Sequence, residues 1–342
     1  MSLKDEIQQE ELVESLRASN ERLSRQLTAL KMSRYDLVDA VYRAAKDSAA
    51  GLSLKSIKPP AKDSRKKTAE TAVAVLSDWQ LAKVTPTYNS KICEERIELY
   101  TEKVLKLTEI QRADHPVREL RVWLLGDIVE GELIFPGQSH LIDSSLYRQV
   151  TVDGPRILCN ALRRLASGFE KVHVVGVIGN HGAIGGSTRR DHDPETNADR
   201  MLYRICQQIL AHEPNITWAI PDGPGERNWY AVDNLGNRSY LLIHGDQIRG
   251  GFAGFPFYGL AKKSWGWATG AIPEHFDEVI LGHWHQPTRV TLNRITARVN
   301  GSTESYNTYA MEQLAAVGRP SQWLLFAHPE NGITAEYCVY LD

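Results

Sequence analysis

Five short segments of this sequence carry side chains that can bind a metal ion, and each follows an apolar run. They are SDWQ (residues 77–80), GDIVEGE (126–132), GNHG (179–182), IHGD (243–246) and GHWH (282–285). In the last segment, His283 and His285 follow the strand-like run Val279–Leu281. Residues two apart in an extended segment point to the same side, so these two histidines can converge on one point. Neutral imidazoles are good metal ligands, and the pair therefore predicts part of a metal site.

None of the five segments predicts a metal site by itself, and the prediction rests on their combination. An isolated Asp, Asn or His after a strand is more often a turn residue, a helix cap or an ordinary interior side chain. Together the segments bring carboxylate, amide and imidazole groups to strand ends, where open α/β sheets place their active sites. This donor set favours Mn²⁺, with Zn²⁺, Fe²⁺ or Mg²⁺ as alternatives.

The order of these motifs resembles the calcineurin-like metallophosphoesterase superfamily, from about Val73 to Val290. The resemblance implies two divalent cations that activate a bridging water for in-line attack on a phosphoester. It implies that Asp127 bridges the two cations and that His181 assists the chemistry. It also implies the two ligand sets, which are Asp78, Gln80, Asp127 and His285 for one cation, and Asp127, Asn180, His244 and His283 for the other.

The sequence departs from the pattern of this family at two positions. Gln80 stands where the family usually has a histidine, and an amide oxygen is a neutral, weaker donor. We therefore expect the cation beside Asp78 to bind loosely, or to bind only together with substrate. Gly182 stands where an acidic residue usually follows, so another part of the chain has to orient His181.

The second motif indicates which phosphoester is cleaved. Protein phosphatases of the superfamily usually carry an arginine after this motif, and the present sequence has Glu130-Gly131-Glu132 instead. The stretch Gly126–Gln138 resembles the small subunit of family D DNA polymerases and, more loosely, the SbcD-type repair nucleases. We therefore interpret the chain as a phosphodiesterase acting on DNA, a nuclease. The alternatives are a phosphomonoesterase, a small-nucleotide phosphodiesterase, or a catalytically weak scaffold in a replication or repair complex.

An aromatic and basic segment, Gln247–Gly270, supplies candidate substrate contacts. Such side chains form stacking platforms for single-stranded bases, although an aromatic lid over the core would have the same composition. Two arginines in the loop after the third motif could also reach the phosphate, or simply be solvated. The candidates are Arg189, Arg190, Arg249, Phe255, Tyr258, Lys262, Lys263 and Trp265.

Three regions are predicted along the chain. In residues 1–50, leucines recur every seven residues at Leu16, Leu23, Leu30 and Leu37, which is typical of a coiled coil. This pattern predicts a homodimer, and the alternative is an amphipathic helix packed on its own domain. Residues 51–70 have the composition of a basic linker, and residues 71–342 form the predicted metallophosphoesterase domain.

Composition narrows the class of protein. The 40 basic and 42 acidic residues give a formal charge of −2, so the whole chain carries no basic field for nucleic acid. Four scattered cysteines, no signal-peptide core and no long apolar run predict a cytoplasmic protein without disulfides or membrane contact. Strands and helices alternate first and strands dominate later. This order predicts a four-layer α/β sandwich, in which helices flank two packed mixed sheets.

Overall fold

The computed structural model describes Arg43 and residues 57–184, 196–221, 229–249, 255–307, 311–312 and 317–342. Apart from Arg43, the predicted coiled coil of residues 1–50 lies outside the described residues, so the homodimer stays a prediction. Arg189 and Arg190 lie outside them as well. The cytoplasmic location also stays a prediction.

Within the described ranges there are eleven strands, and there are four α-helices that are at least ten residues long. In chain order the strands are β1 (Glu70–Leu76), β2 (Val117–Leu124), β3 (Lys171–Gly176), β4 (Ile216–Ala219), β5 (Tyr230–Leu235), β6 (Arg238–Ile243), β7 (Glu278–Leu281), β8 (Thr288–Leu292), β9 (Ile295–Val299), β10 (Ser321–His328) and β11 (Gly332–Tyr340). The helices are α1 (Ser90–Arg112), α2 (Gly154–Ala166), α3 (Ala198–Ile209) and α4 (Phe257–Gly266).

The strands form two mixed sheets. The first has the order β11–β10–β1–β2–β3–β4, and the second has the order β5–β6–β7–β9–β8. Strands β1 to β4 are parallel, as are β6, β7 and β9, so their carboxyl ends meet at one edge of each sheet. This arrangement confirms the predicted fold class.

The two sheets pack face to face through alternate residues of their strands. Val73, Val75 and Trp123 of the first sheet share one buried cluster with Tyr240 and Leu242 of the second. The Trp123 and Tyr240 rings lie 5.2 Å apart. The intervening residues of the first sheet face the opposite way, because side chains alternate along a strand.

Helices cover the outer faces of both sheets. On the first sheet, α1 lies across β10, where the Tyr100 hydroxyl donates to the Trp323 carbonyl at 2.7 Å. On the second sheet, Leu260 of α4 and Phe255 share a buried cluster with Leu241 and Val279. The order of layers is therefore helix, sheet, sheet, helix.

Three local features shape the surroundings of the sheets. A π-helical turn at Gln149–Asp153 directly precedes α2. Strand β4 forms the edge of the first sheet, and β8 and β9 form an antiparallel hairpin at the edge of the second.

The described part of the predicted basic linker lies against the domain. The Asp63 amide donates to Glu170 Oε1 at 2.8 Å, and the Arg118 side chain donates to the Asp63 carbonyl at 2.7 Å. The Arg65 guanidinium donates to the Arg112 carbonyl at 2.7 Å. Residues 63–65 are thus fixed to the first sheet and to α1.

No helix within the described ranges is both long enough and apolar enough to cross a membrane.

Removing the polar contact between the sheets should destabilise the fold. The buried Trp123 Nε1 donates to Asp233 Oδ2 at 2.7 Å, and Trp123→Phe would leave that carboxylate short of a donor. We expect the free energy of unfolding in urea to fall by about 2–3 kcal/mol. The matched control is Trp265→Phe, because Trp265 is 67% exposed. Equal losses in the two variants would contradict this role.

Candidate metal centre

The five polar segments meet at the carboxyl ends of five strands. Asp78 follows β1, Asp127 follows β2 and Asn180 follows β3, while His244 follows β6 and His283 follows β7. The site therefore lies where the same edges of the two packed sheets come together. The topology brings together residues that are as far as 207 positions apart in the chain, from Asp78 to His285.

Left-handed backbone conformations turn the loops of this site sharply. Such φ values cost a non-glycine residue about 1–3 kcal/mol, and they cluster at functional sites. The residues with positive φ here are Asp78 (53°), Gln80 (49°), Asp127 (53°), His283 (71°) and His285 (54°). These turns aim side chains from each strand end toward the common centre.

Two glycines allow the loops to approach the carboxylates. A Cβ atom at Gly179 would collide with Asp127 Oδ1, and a Cβ atom at Gly282 would collide with Asp78 Oδ2. A side chain at either position would push a carboxylate away from the centre. These two motif glycines are therefore explained by close packing.

Four donor atoms converge around His244. Its Nδ1 donates to the Leu125 carbonyl at 2.8 Å, so its Nε2 is directed into the site. Within 3.2 Å of that Nε2 lie Asp127 Oδ2 at 2.9 Å, Asn180 Oδ1 at 3.0 Å and His283 Nδ1 at 3.2 Å. The set consists of two imidazoles, one amide and one carboxylate.

This cluster fits a cation. His244 Nε2 is surrounded by three atoms that can accept a hydrogen bond, namely Asp127 Oδ2, Asn180 Oδ1 and His283 Nδ1. That nitrogen carries at most one proton, so it can donate to only one of the three. A divalent ion would satisfy all four atoms at once. The ligand atoms of Asp127, His244 and His283 all lie within 4.8 Å of one another, which is close enough for one ion to contact all three.

The charge states of Asp127 and His283 suit ligation. Burial lowers the pKa of His283, and the neighbouring His244 lowers it further, so His283 stays neutral. Burial by itself would raise the pKa of Asp127, but His244 and His181 outweigh it and hold the pKa well below its usual range. An ionised carboxylate and a neutral imidazole are the forms that bind metals.

Asp78 and His285 form the other half of the site. Asp78 Oδ1 lies 3.3 Å from His285 Nε2, and both Asp78 oxygens accept the His283 amide at 3.0 Å. The Ser77 hydroxyl donates to Asp78 Oδ2 at 2.5 Å. Asp78 is thereby fixed with Oδ1 toward the ring of His285.

The Gln80 side chain contacts Asp127. Its Nε2 donates to Asp127 Oδ2 at 3.4 Å, and its Oε1 is buried without a hydrogen-bond partner among the described residues. An unpaired buried amide oxygen beside Asp127 is a position where a cation or its water would be stabilised. That Gln80 binds a cation stays a prediction.

Glu304 and Lys83 hold His285 from the far side of its ring. Glu304 Oε2 lies 3.3 Å from His285 Nδ1, and Glu304 Oε1 lies 2.7 Å from Lys83 Nζ. Burial lowers the pKa of His285, but Asp78 and Glu304 outweigh it and raise the pKa to about 10. With Glu304 on Nδ1, the other nitrogen faces Asp78 Oδ1, and this Nε2 could bind a cation in exchange for its proton.

Glu130 orients His181. His181 Nδ1 lies 2.8 Å from the Glu130 carbonyl oxygen and 3.3 Å from Glu130 Oε2, so Nδ1 carries a proton. Burial lowers the pKa of His181, but Glu130 and Asp127 outweigh it and raise the pKa to about 9. Glu130 belongs to the second motif, three residues after Asp127, and it supplies the acid that is absent at Gly182.

Two glutamines fix Glu130 and the turn after it. Gln138 Nε2 donates to the Glu130 carbonyl at 2.8 Å and to Glu130 Oε1 at 3.0 Å. The Gln149 side chain accepts from the Gly131 amide at 3.0 Å and donates to the Gly131 carbonyl at 3.1 Å. Both glutamines are fully buried, so this loop is rigidly supported.

Asp199, in the first turn of α3, ties the second motif to the third. Its oxygens accept the amides of Asp127 at 2.9 Å, Ile128 at 3.0 Å, Val129 at 3.2 Å and Gly179 at 3.0 Å. Burial and the nearby Asp127 charge raise the pKa of Asp199 to about 6. Its function is to position both loops.

The predicted substrate residues that the structure describes lie in and around α4. Phe255 is buried in the core of the second sheet, in agreement with the lid alternative for that residue. Tyr258 and Trp265 are exposed, as are Arg249, Lys262 and Lys263. The segment is thus divided between core and surface.

Sequence reasoning missed four residues that support the site, namely Lys83, Glu130, Asp199 and Glu304. Glu130 had a signal, because it lies three residues after Asp127 in the second motif. Asp199 lies in the first turn of α3, where an acidic residue is common for its interaction with the helix dipole alone. Glu304 and Lys83 carry no local pattern that separates them from surface charges.

No protein-family model and no curated protein matches the sequence. Among solved structures, the fold is similar to vacuolar protein sorting 29 from Cryptosporidium parvum, at 13% identity over 79% of this chain and 99% of that chain, with a TM-score of 0.37. A hypothetical protein from Pyrococcus horikoshii is similar at 11% identity over 80% and 89%, with a TM-score of 0.38. A novel archaeal phosphodiesterase is similar at 10% identity over 78% and 99%, with a TM-score of 0.34. Similarity at this level identifies neither a family nor a substrate.

Restoring a histidine at Gln80 should strengthen the weaker half of the site. An imidazole nitrogen is a better donor than an amide oxygen, so we expect Gln80→His to lower the Kd for Mn²⁺ in calorimetry. The control is Gln207→His, which adds a histidine on α3, away from the cluster. An unchanged or weaker affinity in Gln80→His would mean that this side chain does not face the cation.

Neutralising Glu304 should loosen the cation beside Asp78. Glu304→Gln removes the carboxylate that fixes His285, and loss of such a partner typically weakens metal binding about 10- to 100-fold. Calorimetry with Mn²⁺ should show the loss in one of two binding steps. Glu336→Gln is the matched control, since Glu336 on β11 of the first sheet pairs with Arg289 on β8 and Arg298 on β9 of the second. Equal effects in both variants would rule out a specific role.

Proposed function

We propose that this chain is a metal-dependent phosphoesterase that cleaves phosphodiester bonds in nucleic acid. One observation carries the proposal, namely the convergence of Asp127, Asn180, His244 and His283 on one point, with Asp78 and His285 beside it. Such a set of oxygen and nitrogen donors fits divalent cations, and Mn²⁺ is the ion we favour over Zn²⁺, Fe²⁺ or Mg²⁺. When bound, a pair of such cations neutralises phosphate oxygens and activates water for in-line displacement.

His181 is the proposed general acid. Its Nδ1 proton is held by Glu130, and its ring is 18% exposed, so its Nε2 is free to face a bound ester. With a pKa of about 9, the ring carries a second proton at neutral pH. That Nε2 proton would be donated to the leaving oxygen as the phosphoester bond breaks.

Two features support a diester as the substrate. The turn after Asp127 carries Glu130 and Glu132 in place of an arginine, and these acids disfavour the doubly charged phosphate of a monoester. The exposed aromatic and basic side chains of α4 are of the kind that contacts nucleic acid. DNA is the form that we propose, in line with the resemblance of the second motif.

Substitution of His181 should separate catalysis from metal binding. We expect His181→Asn to lower kcat for bis-p-nitrophenyl phosphate with Mn²⁺ by about 10²- to 10⁴-fold, while Mn²⁺ still binds in calorimetry. His275→Asn is the control, because the His275 side chain is 80% exposed. Full activity in His181→Asn would exclude the acid role.

The class of substrate can be tested in the same preparation. Wild-type protein is given end-labelled single-stranded DNA, duplex DNA and p-nitrophenyl phosphate, with and without Mn²⁺, and Asp127→Ala serves as the inactive control. Cleavage of DNA that requires both Mn²⁺ and Asp127 supports the proposal. Preference for the monoester would favour a phosphomonoesterase, and failure to bind Mn²⁺ would favour the scaffold.

A further inference from the structure

One face of α4 presents two large aromatic rings to solvent. Tyr258 is 74% exposed and Trp265 is 67% exposed, and both lie outside the hydrophobic cluster that the buried side of α4 joins. The exposed Lys262 lies four residues after Tyr258 and three before Trp265, so the three side chains form one stripe along the helix. We call this stripe the α4 face. An exposed aromatic patch that is contiguous, unlike single exposed rings, is typical of a binding surface.

The surroundings of the α4 face are basic. No acidic residue occurs between Phe255 and Ala271, and the exposed Lys262 and Lys263 lie within that stretch. The exposed Arg249 lies beside it, because a Cβ atom on Gly259 would collide with the Arg249 carbonyl. An anionic partner would meet attraction here and little repulsion.

A row of aromatic rings connects α4 with the metal cluster. The His283 and Trp284 rings are 5.2 Å apart, the Trp284 and Phe255 rings 6.2 Å, and the Phe255 and Phe257 rings 4.6 Å. His283 belongs to the metal cluster, whereas Phe257 is 51% exposed and directly precedes Tyr258. The start of α4 is thus fixed to the site by three ring contacts.

We propose that the α4 face binds single-stranded nucleic acid and guides the strand to the metal cluster. Two bases would stack on Tyr258 and Trp265, whose Cα atoms are about 10 Å apart along the helix, and a phosphate would lie near Lys262. Phe257 continues the stacking surface toward the cluster. A duplex fits poorly, since its bases already stack on one another. This inference rests on the proposed nuclease function for its biological meaning, while the binding itself is independent of catalysis.

Binding is tested with a fluorescein-labelled oligo-dT 15-mer and fluorescence anisotropy, in EDTA so that the strand is not cut. The double variant Tyr258→Ala, Trp265→Ala should raise the Kd by about tenfold for each ring removed. Tyr258→Phe with Trp265→Phe keeps two stacking rings and should retain most of the affinity. Both variants should melt at the wild-type temperature, because the rings are exposed.

The matched control is Tyr340→Ala on β11. Tyr340 is 41% exposed and lies under the Arg319 guanidinium at 3.9 Å, so it combines an aromatic ring with a cation elsewhere on the surface. We expect wild-type affinity from this variant. Equal losses in the control and the double variant would mean that the assay reports nonspecific contact and would overturn the proposal.

Further measurements distinguish the kind of nucleic acid that binds, and they separate failure of the α4 proposal from failure of the proposed function. Oligo-U in place of oligo-dT distinguishes RNA from DNA. A duplex of the same length should bind more weakly, and its affinity should fall less in the double variant.

If wild-type protein binds oligo-dT through these rings but cleaves no diester, the proposed function fails and the α4 face stands. If the protein cleaves DNA while the double variant binds oligo-dT normally, the α4 face is overturned. A dimer that becomes a monomer in the double variant, with unchanged oligo-dT binding, would identify the face as a self-association surface.

Discussion

The buried carboxylate of Asp127 is the interaction on which the site depends. One of its oxygens accepts the His181 amide at 2.7 Å, the other lies 2.9 Å from His244 Nε2, and its own amide donates to Asp199. An ionised carboxylate in the protein interior is very costly unless it is paired and hydrogen-bonded. The loops after β2, β3 and β6 are therefore fixed to one another by a single buried charge.

This constraint accounts for the strained backbone around it. Five residues of the site have positive φ, and each such turn is unfavourable by itself. Hydrogen bonds to buried groups such as Asp199 offset part of that cost, and the sheets beneath hold the ends of every loop. A cation bound among the carboxylates would stabilise the fold further, because the unfolded chain has no preformed site. Fold and metal binding are thus linked through the same few charges.

Most of the side chains that converge at the strand ends could be located from sequence, because the signal is local. An apolar run that ends in Asp, Asn or His marks a strand end, and the carboxyl ends of parallel strands meet at one edge. The residues that support them could not be found in this way. Glu304 reaches His285 from a loop beyond β9, and Asp199 reaches Asp127 from α3, so only the folded topology connects these pairs.

Helix α4 could not be recognised from its local sequence either. It contains Gly259 and begins after Pro256, and half of its residues are aromatic or glycine, so its local preference for helix is weak. Burial of Leu260 against the second sheet stabilises the helix instead. The aromatic residues of this segment had two interpretations, stacking platform and core lid, and the structure divides them into a buried and an exposed group. Phe255 lies inside and Tyr258 outside, a division that depends on the packing of α4 and not on composition.

His283 and His285 begin as an equivalent pair in sequence and become unlike in the fold. His283 faces His244 and stays neutral, whereas His285 lies between the carboxylates of Asp78 and Glu304, and its pKa is raised to about 10. The donors around His283 are mainly imidazole and amide, and those around His285 are mainly oxygens. Nitrogen-rich and oxygen-rich sets favour different cations, and Lys83 adds a positive charge only on the His285 side. If the centre holds two cations, as the proposed function requires, we expect the His244 side to bind its cation more tightly than the His285 side.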